Sequence, residues 1–211
     1  MTDLIAQLTI DAGGPGLKAL AVRAKQLSAE ALVRFQERGD GTIDAFVTTP
    51  FTVFVSRRIR GELREDGLVV GVDKAITAAD EGVLVDAPRL ASSWPGALPP
   101  SQGFVLLDTL PAQVVHDLAG KGQDLARQFS GPAGPPRSLL DQKVLDVTGP
   151  AGTASVSMRG IFACVSLGLL PGFADRPDVP HAVRVSTCGR WVRLDAPFGT
   201  VYESAGLNLL L

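Results

Sequence analysis

Side chains suited to redox or metal chemistry are scarce in this sequence. Its 211 residues include two cysteines and two histidines. They fall at 164, 188, 116 and 181, with no C-x-x-C, H-x-x-x-H or H-E-x-x-H spacing. That argues against a disulfide scaffold and against a His/Cys metal site, and no cofactor is implied. Charge of one sign is missing too. Twenty Lys and Arg stand against 22 Asp and Glu, a net charge of −2. Residues 1–100 carry 11 basic and 13 acidic side chains, and residues 101–211 carry 9 of each. Neither half suggests a polyanionic or polycationic partner.

Long apolar runs are absent. The longest uncharged apolar run, 160–173, has fourteen residues broken by Gly168, Pro171 and Gly172. A membrane-spanning helix needs about 20. The opening MTDLIAQLTIDAGG has an acid at Asp3 and no basic segment, unlike a secretory signal. These features predict a cytoplasmic protein without a membrane span. Fifteen Arg against five Lys, with a single Asn, point to a GC-rich bacterial genome. The signatures G-x-S-x-G and S-x-x-K and the kinase motifs are all missing.

What is present is an ordinary globular composition, 45% hydrophobic with 23 Gly and 15 Pro. The pattern predicts an α+β protein in two parts. Residues 1–90 read as a helix on a small antiparallel sheet. After a strand at Leu4–Ile10, apolar residues from Leu17 to Phe35 recur at three- and four-residue steps. They predict one helix of about twenty residues closed by Gly39, with a break at Ser28 as the alternative. Strands follow at 42–47, 51–59, 68–72 and 83–86, with Asp66-Gly67 as a hairpin signal and one helical turn within 73–82.

Twelve of the 15 prolines lie between Pro88 and Pro180, and the run 88–101 reads as the connector between the two parts. Residues 101–211 then read as a helix and hairpin domain. It has a strand at 104–107, a helix from Pro111 to Phe129 weakened by Gly120 and Gly122, and a hairpin over 143–158. A buried helix at 159–169 and a second hairpin with its tip at Cys188-Gly189 follow. The run 206–211 holds four leucines and no charge. It predicts docking on its own domain or on a second copy.

Two residue groups are candidates for binding. Gly13, Gly14, Gly16 and Lys18 join a strand to a helix, where amide groups and the helix dipole can hold an anion. Their spacing matches neither G-x-G-x-x-G nor a P-loop, and a tight glycine turn explains them as well. Arg184, Arg190, Trp191 and Arg193 sit on the last hairpin, shaped like a wing for phosphates with a ring for stacking. The helix before it brings no basic residue, so a solvated hairpin is the competing account. A further basic run, Arg57-Arg58-Ile59-Arg60, ends a strand. Cys188 with His181 and Asp195 has the residue types of a thiol hydrolase, but a hairpin tip supplies no cleft.

The leading reading is a non-catalytic binding or regulatory module acting through protein contacts, including self-association as a homodimer. The alternatives are a nucleic-acid binder using the last hairpin, and an enzyme or sensor for a small anion at Gly13–Gly16.

Overall fold

Val33 and Phe35 are fully buried, while Leu32, Arg34 and Gln36 between and beside them are half-exposed. That two-residue period belongs to a strand. The computed structural model describes residues 6–129, 136–172 and 179–204. The leucine-rich run at 206–211 lies outside the described residues. Internal contacts divide the chain into two compact units: Met1–Pro50 with Phe54–Ala97, and Phe51–Val53 with Leu98–Leu211.

The first unit contains β1 (Leu8–Ala12), α1 (Gly14–Leu27), β2 (Leu32–Glu37), β3 (Thr42–Val47), β4 (Phe54–Leu63), β5 (Val69–Gly71), α2 (Val72–Glu81) and β6 (Val83–Leu84). Its strands lie in the order β5-β2-β3-β4-β1-β6, every pairing antiparallel. Helices α1 and α2 pack on each other and on the sheet, burying Leu17, Leu20 and Ala24 from one and Ala75 and Ala78 from the other. Two ion pairs join the helices, Lys18–Asp80 at 2.7 Å and Lys25–Asp73 at 2.6 Å. Among the described residues one carboxylate goes inside: Asp44, 2% exposed. Arg58, directly opposite it on β4, donates to its two oxygens at 2.8 and 3.1 Å, and Arg38 lies 3.3 Å away. A charge this deeply buried is tolerable only when so paired.

The second unit contains β7 (Val105–Pro111), α3 (Ala112–Phe129), α4 (Arg137–Leu140), β8 (Lys143–Gly149), β9 (Gly152–Ser157), α5 (Met158–Ser166), β10 (Ala182–Cys188), β11 (Trp191–Ala196) and β12 (Gly199–Ser204). Strands β7-β10-β11-β12 form an antiparallel sheet, and β8 with β9 makes a separate ribbon. Helix α5 packs between α3 and the strands β9 and β12. The chain is an α+β protein. Among the described residues, no helix is long and apolar enough to cross a membrane.

Several expectations need correction. The single helix through Phe35 does not form. Helix α1 stops at Leu27, where Ser28 turns extended, and Leu32–Glu37 is β2. Ala31 and Phe35 fit both periods, and the β-prone Val33 and Phe35 settle the choice by filling the sheet's core. Gly39, at φ 76°, turns the β2–β3 hairpin and caps no helix. Asp66-Gly67 does mark a turn, but the strand after it joins β2, not β4. The Asp66 carboxylate accepts from the Glu37 amide at 2.7 Å and from the Gln36 side chain, which draws the turn to that edge. The polar stretch after Val72 is a ten-residue helix ended by Gly82 at φ 73°, not one turn. Strand β4 starts at Phe54 because Thr52 sits in the left-handed region at φ 57°.

The connector is not exposed along its length. Trp94 and Pro99 are buried, and Trp94 stacks on Phe54 at 5.1 Å between ring centres. Both hairpins expected after residue 140 are present, β8–β9 and β10–β11. Cys164 is fully buried, and burial pushes its thiol up to about 12, which leaves it inert.

The two glycines of α3 turn out to differ. Gly120 is exposed with nothing within 4 Å of a notional Cβ, whereas a Cβ on Gly122 would lie 2.6 Å from the Met158 sulfur and 2.9 Å from the Phe162 ring. Gly120→Ala should therefore raise stability by about 0.5–1 kcal/mol through helix propensity. Gly122→Ala should lower the melting temperature by prising α3 from α5. Thermal melts of the two single variants check this; shifts of the same sign would contradict it.

Candidate functional site

Arg159, in the first turn of α5, draws three segments of the second unit together. Its Nε and Nη2 hold Asp141 Oδ1 at 2.8 and 2.7 Å. Its Nη1 donates to the Phe51 carbonyl at 2.9 Å and to Thr52 Oγ1 at 2.6 Å. These bonds help hold Thr52 in a backbone conformation that a β-branched residue seldom adopts. Beside Arg159 opens a cavity of about 390 Å³. Eleven of its fifteen lining residues carry polar side chains, which makes it unsuited to an apolar occupant.

Glu203, on β12, lines the same cavity. Its Oε2 accepts from the Ser157 amide at 3.2 Å, at the point where Ser157 caps α5 by accepting from the Arg159 amide. Gly160 leaves room for this carboxyl, since a Cβ there would lie 3.1 Å from Glu203 Oε2. Burial pushes the Glu203 pKa up; the Ser157 bonds and the nearby Arg159 pull against that shift without cancelling it. Lys143 and Arg190 are exposed and also line the cavity. Neither forms an ion pair among the described residues, although Arg190 lies over the Trp191 ring at 5.8 Å. Ser204 Oγ is buried and has no hydrogen-bond partner among the described residues.

The residues singled out by sequence are distributed otherwise. Gly13 caps α1 at φ 88°, and a Cβ on Gly14 would lie 2.9 Å from the Ala79 carbonyl oxygen. Gly16 accommodates the Arg57 guanidinium, whose pKa burial lowers. Lys18 reaches across to Asp80 and away from the loop. On the last hairpin Arg184 and Arg190 are exposed. Trp191 is only 5% exposed, and Arg193 is bound to Asp195 at 3.0 Å and lies over Phe104 at 4.5 Å. Of those four residues only Arg190 lines the cavity, along with Thr187, Gly189 and Val192 of the same hairpin.

His181 precedes β10 and Cys188 ends it, roughly 23 Å apart along an extended strand. Asp195 stands opposite Arg184, so no nucleophile–base pair forms. Among the described residues, no three His, Cys, Asp or Glu side chains gather in a metal-binding group.

Residues 99–208, more than half of the chain, match the family model described as "Domain of unknown function (DUF8185)". The chain belongs to that family. Residues 7–96 match a second model, "Domain of unknown function (DUF8010)". No curated protein matches the chain.

Among solved structures, the DUF8185 chain is similar to the DNA polymerase III subunit beta from Pseudomonas aeruginosa, with TM-score 0.55 and 12% identity over 95% of this chain and 64% of that one. It is similar to the Caulobacter crescentus pol III beta, with TM-score 0.51 and 9% identity over 93% and 64%. It also resembles a sliding clamp from Bartonella birtlesii bound to griselimycin, with TM-score 0.53 and 11% identity over 93% and 64%. The chain thus spans under two-thirds of the length of these neighbours, and at such identities the likeness is one of fold.

Sequence reading missed Arg159 and Glu203 because their partners lie far along the chain. Ser157 and Glu203 are 46 residues apart, and Arg159 and Phe51 are 108 apart. The one local signal was Ser157 directly before an apolar helix, a cap position.

Because the folded-state pKa of Glu203 is raised, the stability it lends is fully present below the ordinary carboxyl value of 4.5 and is lost as pH rises through the raised value. Glu203→Gln cannot ionise and should melt higher than wild type near pH 7. That advantage should close below pH 4.5. A variant that melts lower than wild type near pH 7 would show that the fold needs the charged form.

Proposed function

We propose that this DUF8185 protein is a non-catalytic binding module that acts through protein contacts, in the cytoplasm and by self-association among other means. The observation that carries the reading is the fold: nearly the whole chain resembles proteins named as sliding clamps and as subunits of DNA polymerase III. A subunit is by its name part of an assembly, and the present chain, with a net charge of −2, has no charge excess that would oppose association with a protein.

Charge favours protein over nucleic acid as the partner. Helix α1 carries Lys18, Arg23 and Lys25 and α2 adds Lys74, but α2 also brings Asp73, Asp80 and Glu81, and both lysines of α1 are paired to its acids. Helix α3 balances Asp117 and Asp124 against Lys121 and Arg127. On the last hairpin, the buried Trp191 and the paired Arg193 leave Arg184 and Arg190 for phosphates. Two such contacts give weak binding that is lost at physiological salt.

Sedimentation equilibrium and fluorescence anisotropy with a labelled duplex decide between the two. The expected result is a mass above that of the monomer at tens of micromolar, with no duplex binding tighter than about 1 μM at physiological salt. A strict monomer that binds duplex more tightly, and loses it on substitution of Arg184 and Arg190, would favour the nucleic-acid reading.

The same reading treats the two units as separately folding domains. Buried Trp94 and Ala87 tie the start of the connector to the first unit, so cleavage by a broad-specificity protease is expected first within 95–101. First cuts inside β4 would contradict the division.

A further inference from the structure

We propose that the cavity beside Arg159 in the second unit binds a small phosphorylated polyol of the sugar-phosphate class. This goes beyond the protein-binding reading and does not depend on it. The cavity's size, about 390 Å³, falls within the range of small-molecule sites.

Its charges leave a surplus of one sign. Asp141 is neutralised by Arg159 at 2.7 Å, so that pair has little attraction left for a ligand. Glu203 brings one carboxyl, whose pKa burial raises, and even counted as a charge it is outnumbered by the two unpaired cations. Lys143 and Arg190 remain, two cations lining one cavity with no ion-pair partner among the described residues. Two such cations suit a dianionic phosphate, to which each can donate charge-assisted hydrogen bonds.

The neutral end of the ligand follows from the other polar groups. Thr153 is bonded to Thr148, Ser155 to Asp146 and Thr187 to the Trp191 carbonyl, so those hydroxyls are committed within the protein. Ser204 is not: its buried Oγ has no partner, a cost that a ligand hydroxyl would remove. The Glu203 carboxyl, on the adjacent residue of β12, can exchange hydrogen bonds with a second hydroxyl. Cations for the phosphate and a hydroxyl–carboxyl pair for the vicinal hydroxyls together describe a sugar phosphate. A nucleobase would need apolar walls or stacking rings, and the lining offers Val53, Ala154 and Val192 with no aromatic side chain.

Isothermal titration of the full chain with ribose 5-phosphate, ribose and inorganic phosphate provides the test. Ribose 5-phosphate should bind with a Kd near or below about 1 mM, more tightly than inorganic phosphate, while ribose alone should not bind measurably. The double substitution Lys143→Gln with Arg190→Gln, on exposed side chains that should leave the melting temperature unchanged, should weaken ribose 5-phosphate binding at least about tenfold. Ser204→Ala should weaken ribose 5-phosphate but leave inorganic phosphate as in wild type. Wild-type protein that fails to bind ribose 5-phosphate overturns the proposal. So does binding that survives the double substitution, which would place the anion elsewhere, such as at Gly13–Gly16. An affinity indifferent to Ser204→Ala overturns the sugar assignment.

Discussion

The Arg159 guanidinium organises the second unit. A planar fork with donors on several edges can serve a carboxylate, a carbonyl and a hydroxyl together, and here it does so for Asp141, Phe51 and Thr52. Lysine in its place would have no fixed fork to span these groups. The first turn of α5, the segment before β8 and the short stretch at 51–53 all lie within reach of this one side chain. The cavity exists because those three segments are held apart at fixed separations around it. Glu203 completes the arrangement from β12 by meeting the amide of the capping residue Ser157. The cavity walls are therefore fixed by hydrogen bonds between distant segments, and loop composition had little part in setting them.

That explains what could be read beforehand. The β8–β9 and β10–β11 hairpins were legible because each is an alternating pattern folded at a glycine turn, information contained in about fifteen residues. Helix α3 was equally local. The segment from Leu17 to Phe35 was not, because Ala31 and Phe35 satisfy a helical step as well as a strand's alternation. Only the sheet that receives Val33 and Phe35 decides between them. The Asp66-Gly67 turn shows the same limit from another side: the turn was visible, but the edge it joins depends on Gln36 and Glu37, some thirty residues earlier. Of the candidate site residues chosen for local composition, Gly13, Gly14, Gly16, Lys18, Trp191 and Arg193 are engaged in packing and pairing, while Arg184 and Arg190 stay exposed. The cavity residues came from five separate stretches and carried no motif.

Fold likeness to sliding clamps without their sequence is consistent with this picture. An architecture of sheets with packed helix pairs constrains where apolar residues go and leaves the polar surface free to diverge. In this chain the charges of α1 and α2 largely offset each other, through pairs such as Lys25 with Asp73. The Gly122 contact between α3 and α5 belongs to the constrained part, since a methyl group there has no room.

Asp44 bears on how the first sheet finds its alignment. Apolar residues on β3 and β4 can exchange neighbours at modest cost, because one branched side chain fills much the same space as another. A buried carboxylate cannot. If β4 slipped by one residue, Asp44 would face Arg57 or Ile59, and every side chain of the slipped strand would change faces. The ion would then sit in a dry interior without the two-pronged partner that makes its burial tolerable. The Asp44–Arg58 pair thus works as a key that fits one register, excluding misaligned strand pairings more than it adds strength to the correct one.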